Sequence, residues 1–107
     1  MAEPTLQQIF GANATQTSAT ITITKADLPG LTPAADNRAE QLFVAVLLQA
    51  KSFLTSANQD TNPEQSITIE DSFQTLITRN NQQYRQNTQS VNLQKIDTTA
   101  GIDPDDY

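Results

Sequence analysis

Carboxylates are the side chains of this 107-residue chain best suited to do chemistry. Glu70 and Asp71 are adjacent, and Asp103, Asp105 and Asp106 lie together near the C-terminus. Neighbouring residues of a strand point to opposite faces, so the first pair is not expected to act on one bond as glycosidase carboxylates do. The three C-terminal aspartates lack the glycine and distal glutamate of an EF-hand loop. Two interpretations of them are open, a calcium-type cation site and a solvated acidic tail.

Histidine and cysteine are both absent from the sequence. Without histidine the chain lacks the usual general base, the usual activator of a serine or threonine nucleophile, and the commonest metal ligand. Without cysteine it has neither disulfides nor thiolate metal sites. The three glycines are too far apart to form a phosphate-binding loop. The sequence therefore predicts a protein that is not an enzyme and that holds no cofactor or metal, with a cation at the three C-terminal aspartates as the one open alternative.

The charge balance bears on the class of partner. The formal net charge is −6, and the six Lys and Arg residues are spread singly along the chain. This distribution argues against nucleic-acid binding and against anionic membrane surfaces. The N-terminus lacks the basic start of a secretory signal, and no apolar run is long enough to span a bilayer. We therefore expect that the chain does not insert into a membrane and that it stays in the compartment where it is made.

Uncharged polar residues are unusually frequent, since Gln, Asn and Thr supply about a third of the chain. A surface of this kind hydrogen-bonds without the desolvation of long charged side chains. The bias has two open explanations, a surface buried against other chains and a compositional drift of the host genome.

The segment 32–58 is predicted to form one long helix, with Thr32 as N-cap and Pro33 in the first turn. A broad apolar stripe is expected to pack on a sheet; it consists of Ala35, Ala39, Leu42, Phe43, Val46, Ala50, Phe53, Leu54 and Ala57. Val44 and Leu48 lie on the opposite side, with Leu47 at its edge. Because one small sheet covers only one side of a helix, these residues are expected to be covered by the N-terminal segment or by another subunit, or else to be exposed.

The N-terminal segment, residues 1–16, is predicted to be a short helical hook or arm. Thr5 and Gln8 have the spacing of a capping box, and Gly11 is suited to end the helix. The hook's apolar residues share one face and need a groove, which Val44 and Leu48 could supply in this chain or in another; they are Leu6, Ile9 and Phe10.

Residues 17–97 are predicted to form a single α+β domain, one long helix packed on a small antiparallel sheet of three to four strands. Residues 19–25 alternate as a half-buried strand, and Pro29-Gly30 predicts a type II turn. Residues 57–65 are expected to be a polar return loop. Residues 66–79 are either one long strand or two short ones, with their odd positions facing the helix, and the last strand ends near Ile96.

The segment 78–90 contains a single bulky apolar residue, Tyr84. It is predicted to be either a disordered loop or a polar β-arm that is ordered by a neighbour. Tyr84 and Arg85 could stack on an aromatic ring or a sugar of a partner. Residues 98–107 are predicted to be an acidic tail. The interface candidates are Leu6, Ile9, Phe10, Val44, Leu47, Leu48, Tyr84 and Arg85.

Three stretches, TLQQIFGANATQ, KADLPGLTP and IDPDDY, resemble those of small uncharacterised proteins of cyanobacteria and their tailed phages. The resemblance covers about a quarter of the chain and contains no functional motif. It implies a virion or tail component and transfers no site residues.

Two hypotheses follow for function. The first is a structural subunit of a larger assembly, such as a phage tail, neck, baseplate or fibre-attachment protein, located in the virion or the host cytoplasm and contacting copies of itself or other subunits. The second is a small cytosolic binding module for a peptide or a glycan.

Overall fold

The computed structural model describes residues 3–97 and 101–107. The predicted α+β class is confirmed. The described residues form three helices and two separate two-stranded antiparallel sheets, in the order α1 (Leu6–Phe10), β1 (Thr15–Gln16), β2 (Ile21–Thr22), α2 (Ala39–Phe53), α3 (Ser56–Thr61), β3 (Ile67–Arg79) and β4 (Gln82–Leu93). The expected single sheet of three to four strands is therefore wrong.

The N-terminal hook forms as predicted. The Gln8 amide N–H donates to the Thr5 hydroxyl and the Thr5 N–H donates to the Gln8 side chain, which completes the capping box. Gly11 ends α1 with a φ of 112°. A Cβ at this position would lie 2.8 Å from the Cβ of Asp27, so both the backbone angle and the close approach favour glycine.

The long helix predicted for residues 32–58 is wrong at both ends. Asn37 holds residues 32–37 in an irregular loop, because its side chain accepts from the Ala34 N–H and donates to the Thr32 carbonyl. Such local bonds offer the backbone an alternative to a helix. The helix α2 therefore begins only at Ala39, after Arg38, whose N–H donates to the Gln41 side chain.

Thr55 separates α2 from α3. Its backbone is extended, and its hydroxyl accepts from the Asn58 N–H as the N-cap of a new helix. The carbonyl of Leu54 leaves the helical pattern and accepts from the N–H of Ile69 on β3. Residues 57–61, expected in a return loop, are thus helical.

The strand predicted for residues 19–25 is also largely wrong. Only Ile21–Thr22 is a strand, it pairs with Thr15–Gln16, and Ile21 is exposed. The Thr17 hydroxyl accepts from the N–H groups of Ala19 and Thr20 and tightens the connecting turn. This small hairpin lies apart from β3 and β4.

The strands β3 and β4 form one long hairpin. Of the two alternatives for residues 66–79, the single long strand is observed, and most of the 78–90 segment belongs to the strand that pairs with it. A two-residue turn joins the strands at Asn80 and Asn81, whose φ angles are 50° and 61°. Positive φ at both central residues is the mark of a type I′ turn, which matches the twist of a hairpin. Residues 82–90 are thus part of a β-strand that pairs within the chain and are not a disordered loop, while ordering by a neighbour stays a prediction.

A bulge shifts the register of this hairpin between Asp71 and Gln74, so that two residues of β3 oppose one of β4. The side chains of Ile67, Ile69 and Asp71 point to the helices, and we call this side the helix-side face. Beyond the bulge the alternation shifts by one residue. The expectation that Phe73, Thr75 and Ile77 continue that face is therefore wrong, and Gln74, Leu76 and Thr78 continue it.

The core of the described residues is small. Ala50, Leu54 and Ile69 form its buried cluster, against which Ile9, Leu47 and Ile67 pack. The Cα radius of gyration is 16.2 Å, whereas a compact chain of this length has about 13 Å. The chain is consequently an extended molecule that buries little of its apolar surface.

The buried side-chain amide of Gln65 stabilises the connection between α3 and β3. Gln65 is 2% exposed; its side chain accepts from Asn58 Nδ2 at 2.6 Å and donates to the carbonyls of Thr55 and Ile67 at 3.0 and 2.8 Å. One side chain thereby satisfies buried polar groups on both sides of the α3 to β3 connection.

Replacing this amide is expected to be costly. Gln65→Ala removes the partner of the Ile67 carbonyl and of the Asn58 amide and leaves the Thr55 carbonyl with the Gln59 N–H alone. It is expected to lower the unfolding free energy by about 2 to 3 kcal/mol, measured by urea denaturation. The control Glu64→Ala removes an exposed neighbouring side chain and is expected to change it by less than about 0.5 kcal/mol. Equal effects of the two substitutions would contradict this account of the connection.

Candidate interaction site

An open groove of about 510 Å³ lies along the outer side of α2. Val44, Ala45 and Leu48 form its helical wall, and residues 29–32 form the other wall. Val44 and Leu48 keep 50% and 40% of their surface exposed. Both were predicted to lie on the side of the helix away from a sheet; in the structure they face the 29–32 loop across the groove.

The loop wall of the groove is fixed by polar contacts. Gly30 has a φ of 71°, the positive value predicted for the third position of a type II turn. Lys25 Nζ donates to the Ala34 carbonyl at 2.6 Å, and Asn37 holds the residues that follow. The groove is therefore shaped before any partner arrives. Its polar lining residues are Thr32, Arg38, Glu40 and Gln41.

The hook does not fill this groove. Ile9 packs with Leu47 on the buried cluster of Ala50 and Leu54, on the other side of α2, and Leu6 and Phe10 are half-buried. Gln49 Nε2 donates to the Gln8 carbonyl at 2.8 Å and ties α1 to α2. Of the two ways proposed for covering Val44 and Leu48, the N-terminal segment is thus not observed in the described residues, and cover by another subunit stays a prediction.

The second surface is the outer part of the long hairpin, residues 72–88, which we call the distal arm. None of its residues is buried. Phe73 and Leu76 are 61% and 57% exposed. A hairpin of two strands with both faces in solvent is marginally stable at best.

Tyr84 and Arg85 lie on this arm but do not form one site. Adjacent strand residues point to opposite faces, and the contacts follow that rule. The guanidinium of Arg79 lies 4.2 Å from the centroid of the Tyr84 ring, whereas Arg85 donates to Gln74 Oε1 at 3.2 Å on the helix-side face. The Tyr84 ring already has a cationic neighbour within the chain.

Phe43, Phe73 and Leu76 are among the exposed large apolar residues that were not interface candidates. Phe43 was assigned to the stripe that packs on the sheet, yet it is 71% exposed. Its helical angle is close to that of the buried residues, but the core cluster lies at the C-terminal half of α2. Phe73 was assigned to a covered face because alternation alone gives no sign of the bulge.

Of the carboxylates singled out from the sequence, Asp71, Asp103 and Asp106 have partners within the chain. Glu70 is exposed, and Asp71 forms an ion pair with Lys51 on the helix-side face. In the tail, Asp103 accepts from the Asp105 N–H, and Asp106 pairs with Lys95 at 2.8 Å. Residues 98–100 of the predicted tail lie outside the described residues. Within the described ranges, no group of three or more acidic residues could hold a metal ion.

Comparison with protein-family models, with curated proteins and with solved structures gave no match. Among residues 3–97 and 101–107, no helix has the length and apolar character needed to cross a membrane.

The ion pair between Lys51 and Asp71 links α2 to the base of the distal arm. Hydrogen bonding to Lys51 holds the pKa of Asp71 below its ordinary value of 3.8, with a further contribution from the Gln89 amide. Because the folded pKa is lower than the unfolded one, the stabilisation is present above about pH 3.8 and is lost as the pH falls through the folded pKa.

This linkage predicts a specific titration. In an NMR titration of the carboxyl groups, Lys51→Met is expected to raise the pKa of Asp71 toward 3.8. The control Lys25→Met removes a lysine that contacts a backbone carbonyl and should leave Asp71 unchanged. An Asp71 pKa that does not respond to loss of Lys51 would show that the pair does not form in solution.

Proposed function

We propose that this protein is a non-enzymatic structural subunit of a multi-protein assembly. The observation that carries the proposal is the mismatch between the small buried cluster and the large apolar side chains left in solvent on the distal arm and along the groove. In a monomer such surfaces are a liability, whereas in a subunit they are the places where neighbours bind.

The kind of assembly is proposed from the resemblance of three short stretches to proteins of cyanobacteria and their tailed phages. On that basis the assembly is a virion, with the chain in a tail, neck, baseplate or fibre-attachment position. Its partners are copies of itself or other subunits, and it is found in the virion or in the host cytoplasm. An extended arm that projects from a small domain suits such a role, because it reaches across a neighbouring subunit.

One observation favours the second candidate, a binding module for a peptide. The groove beside α2 is preformed and combines an apolar wall with the polar lining residues Arg38, Glu40 and Gln41. An extended segment of another protein would bury Val44 and Leu48 there and hydrogen-bond to the polar residues. This candidate leaves the distal arm without a role, which is why we place it second.

The proposal is tested by incorporation into the native particle. Leu48→Asp puts a carboxylate on the groove wall, where burial against a neighbour would leave the charge without a partner. We expect incorporation to fall at least about tenfold, equivalent to about 1.4 kcal/mol. Incorporation is read by mass spectrometry of particles isolated by sedimentation, in which the chain should be a stoichiometric component.

Ala39→Asp is the matched control, because it adds the same charge to the first turn of the same helix, at an exposed position away from the groove. It should be incorporated like the unaltered chain, and both variants should keep the circular dichroism spectrum of the unaltered chain. Recovery of the chain only as a free monomer, or equal incorporation of Leu48→Asp and Ala39→Asp, would refute the proposal.

A further inference from the structure

The outer edge of β4 is an uninterrupted row of backbone hydrogen-bonding groups. The two-residue turn makes Arg79 and Gln82 a hydrogen-bonded pair. From there along β4, residues whose N–H and C=O point inward, to β3, alternate with residues whose N–H and C=O point outward, to solvent. On β3 the bulge shifts the alternation by one residue, so Ile69, the partner of Val91, points its N–H outward, as its bond to Leu54 requires. The outward-pointing residues of β4 are Gln83, Arg85, Asn87, Gln89, Val91 and Leu93.

The two edges of the hairpin differ in their protection. On β3 the carbonyl of Leu54 occupies the outward N–H of Ile69, and the bulge between Asp71 and Gln74 breaks the regular spacing. Natural sheets protect edges with bulges, covering elements, proline and lysine. Residues 82–93 contain no proline and no lysine, and the two-residue side of the bulge lies on β3. No backbone group from another described element bonds to the outer edge of β4.

The charge distribution indicates what this edge can pair with. Glu70 and Asp71 balance Arg79 and Arg85, so residues 67–93 carry no net charge, although the whole chain carries −6. The hairpin is thus the part of the molecule where a second copy can approach without the repulsion of the acidic remainder.

We infer that the outer edge of β4 pairs with the same edge of a second copy of this chain. The inference rests on the proposed role in an assembly and names one partner in it. Two antiparallel copies of β4 about a twofold axis form a continuous four-stranded sheet, β3-β4-β4-β3, and exchange backbone bonds through the outward residues. The axis is perpendicular to the sheet, so both α2 helices lie on one face. Val91 and Leu93, both exposed in the single chain, then gain cross-strand neighbours.

Proline at an outward position tests this pairing. Asn87→Pro removes an outward N–H and leaves the bonds to β3 in place, whereas Asn87→Ala removes the same side chain and keeps the N–H. In sedimentation equilibrium the unaltered chain and Asn87→Ala are expected to dimerise, and Asn87→Pro to weaken dimerisation at least tenfold. Circular dichroism checks that the hairpin persists in each variant.

Amide exchange measured by NMR on the unaltered chain supplies an independent readout. At concentrations where it dimerises, the outward amides of Arg85, Asn87 and Gln89 are expected to become protected; in the monomer they exchange freely. A chain that stays monomeric at millimolar concentration overturns the inference, and so does a dimer whose outward amides remain unprotected. Neither result touches the proposed function, because incorporation into the particle is measured separately through Leu48→Asp.

Discussion

The contact between the last turn of α2 and the base of β3 is the interaction on which the rest of this structure depends. The Leu54 carbonyl accepts from the Ile69 N–H at 2.9 Å, and both side chains lie in the one buried cluster with Ala50. The hook packs on that cluster from one side, and the hairpin extends from it on the other. The Gln65 amide joins α3 to the same base of β3, and the ion pair of Lys51 and Asp71 is the next contact outward, so these contacts together set the direction of the distal arm.

Side-chain amides explain how so small a core holds the described chain together. Gln8, Gln41, Gln49 and Gln65 each satisfy backbone groups at a helix start or at a joint between elements. The richness in Gln and Asn was open to two explanations, a surface for partners and genomic drift. The structure adds a third explanation: these side chains form hydrogen bonds between elements of the chain without burying a charge. On the distal arm the same residue types face solvent.

Local chemistry in the sequence predicted the features that depend on a few neighbouring residues. The capping box of Thr5 and Gln8 is one, and the positive φ of Gly30 in the turn before α2 is another. The sequence could not show where α2 begins, since Asn37 competes with helical bonding through contacts five residues apart. It could not show the bulge either. The alternation of residue types continues unbroken through residues 67–77, whereas the bulge moves Phe73 and Ile77 off the helix-side face. The turn at Asn80 and Asn81 had a readable signal, two residues tolerant of positive φ between alternating segments.

The central claim is that the distal arm packs against no other element among residues 3–97 and 101–107. Native-state hydrogen exchange on the chain, dilute enough to be monomeric, tests it most directly. The account predicts that the inward amides of Thr75 and Ile77 exchange at least tenfold faster than those of Leu54 and Ile69, because opening the arm costs at least about 1.4 kcal/mol less than opening the junction. Equal protection at these four amides would contradict the account, since it would mean that the arm and the junction unfold as one unit in the isolated protein.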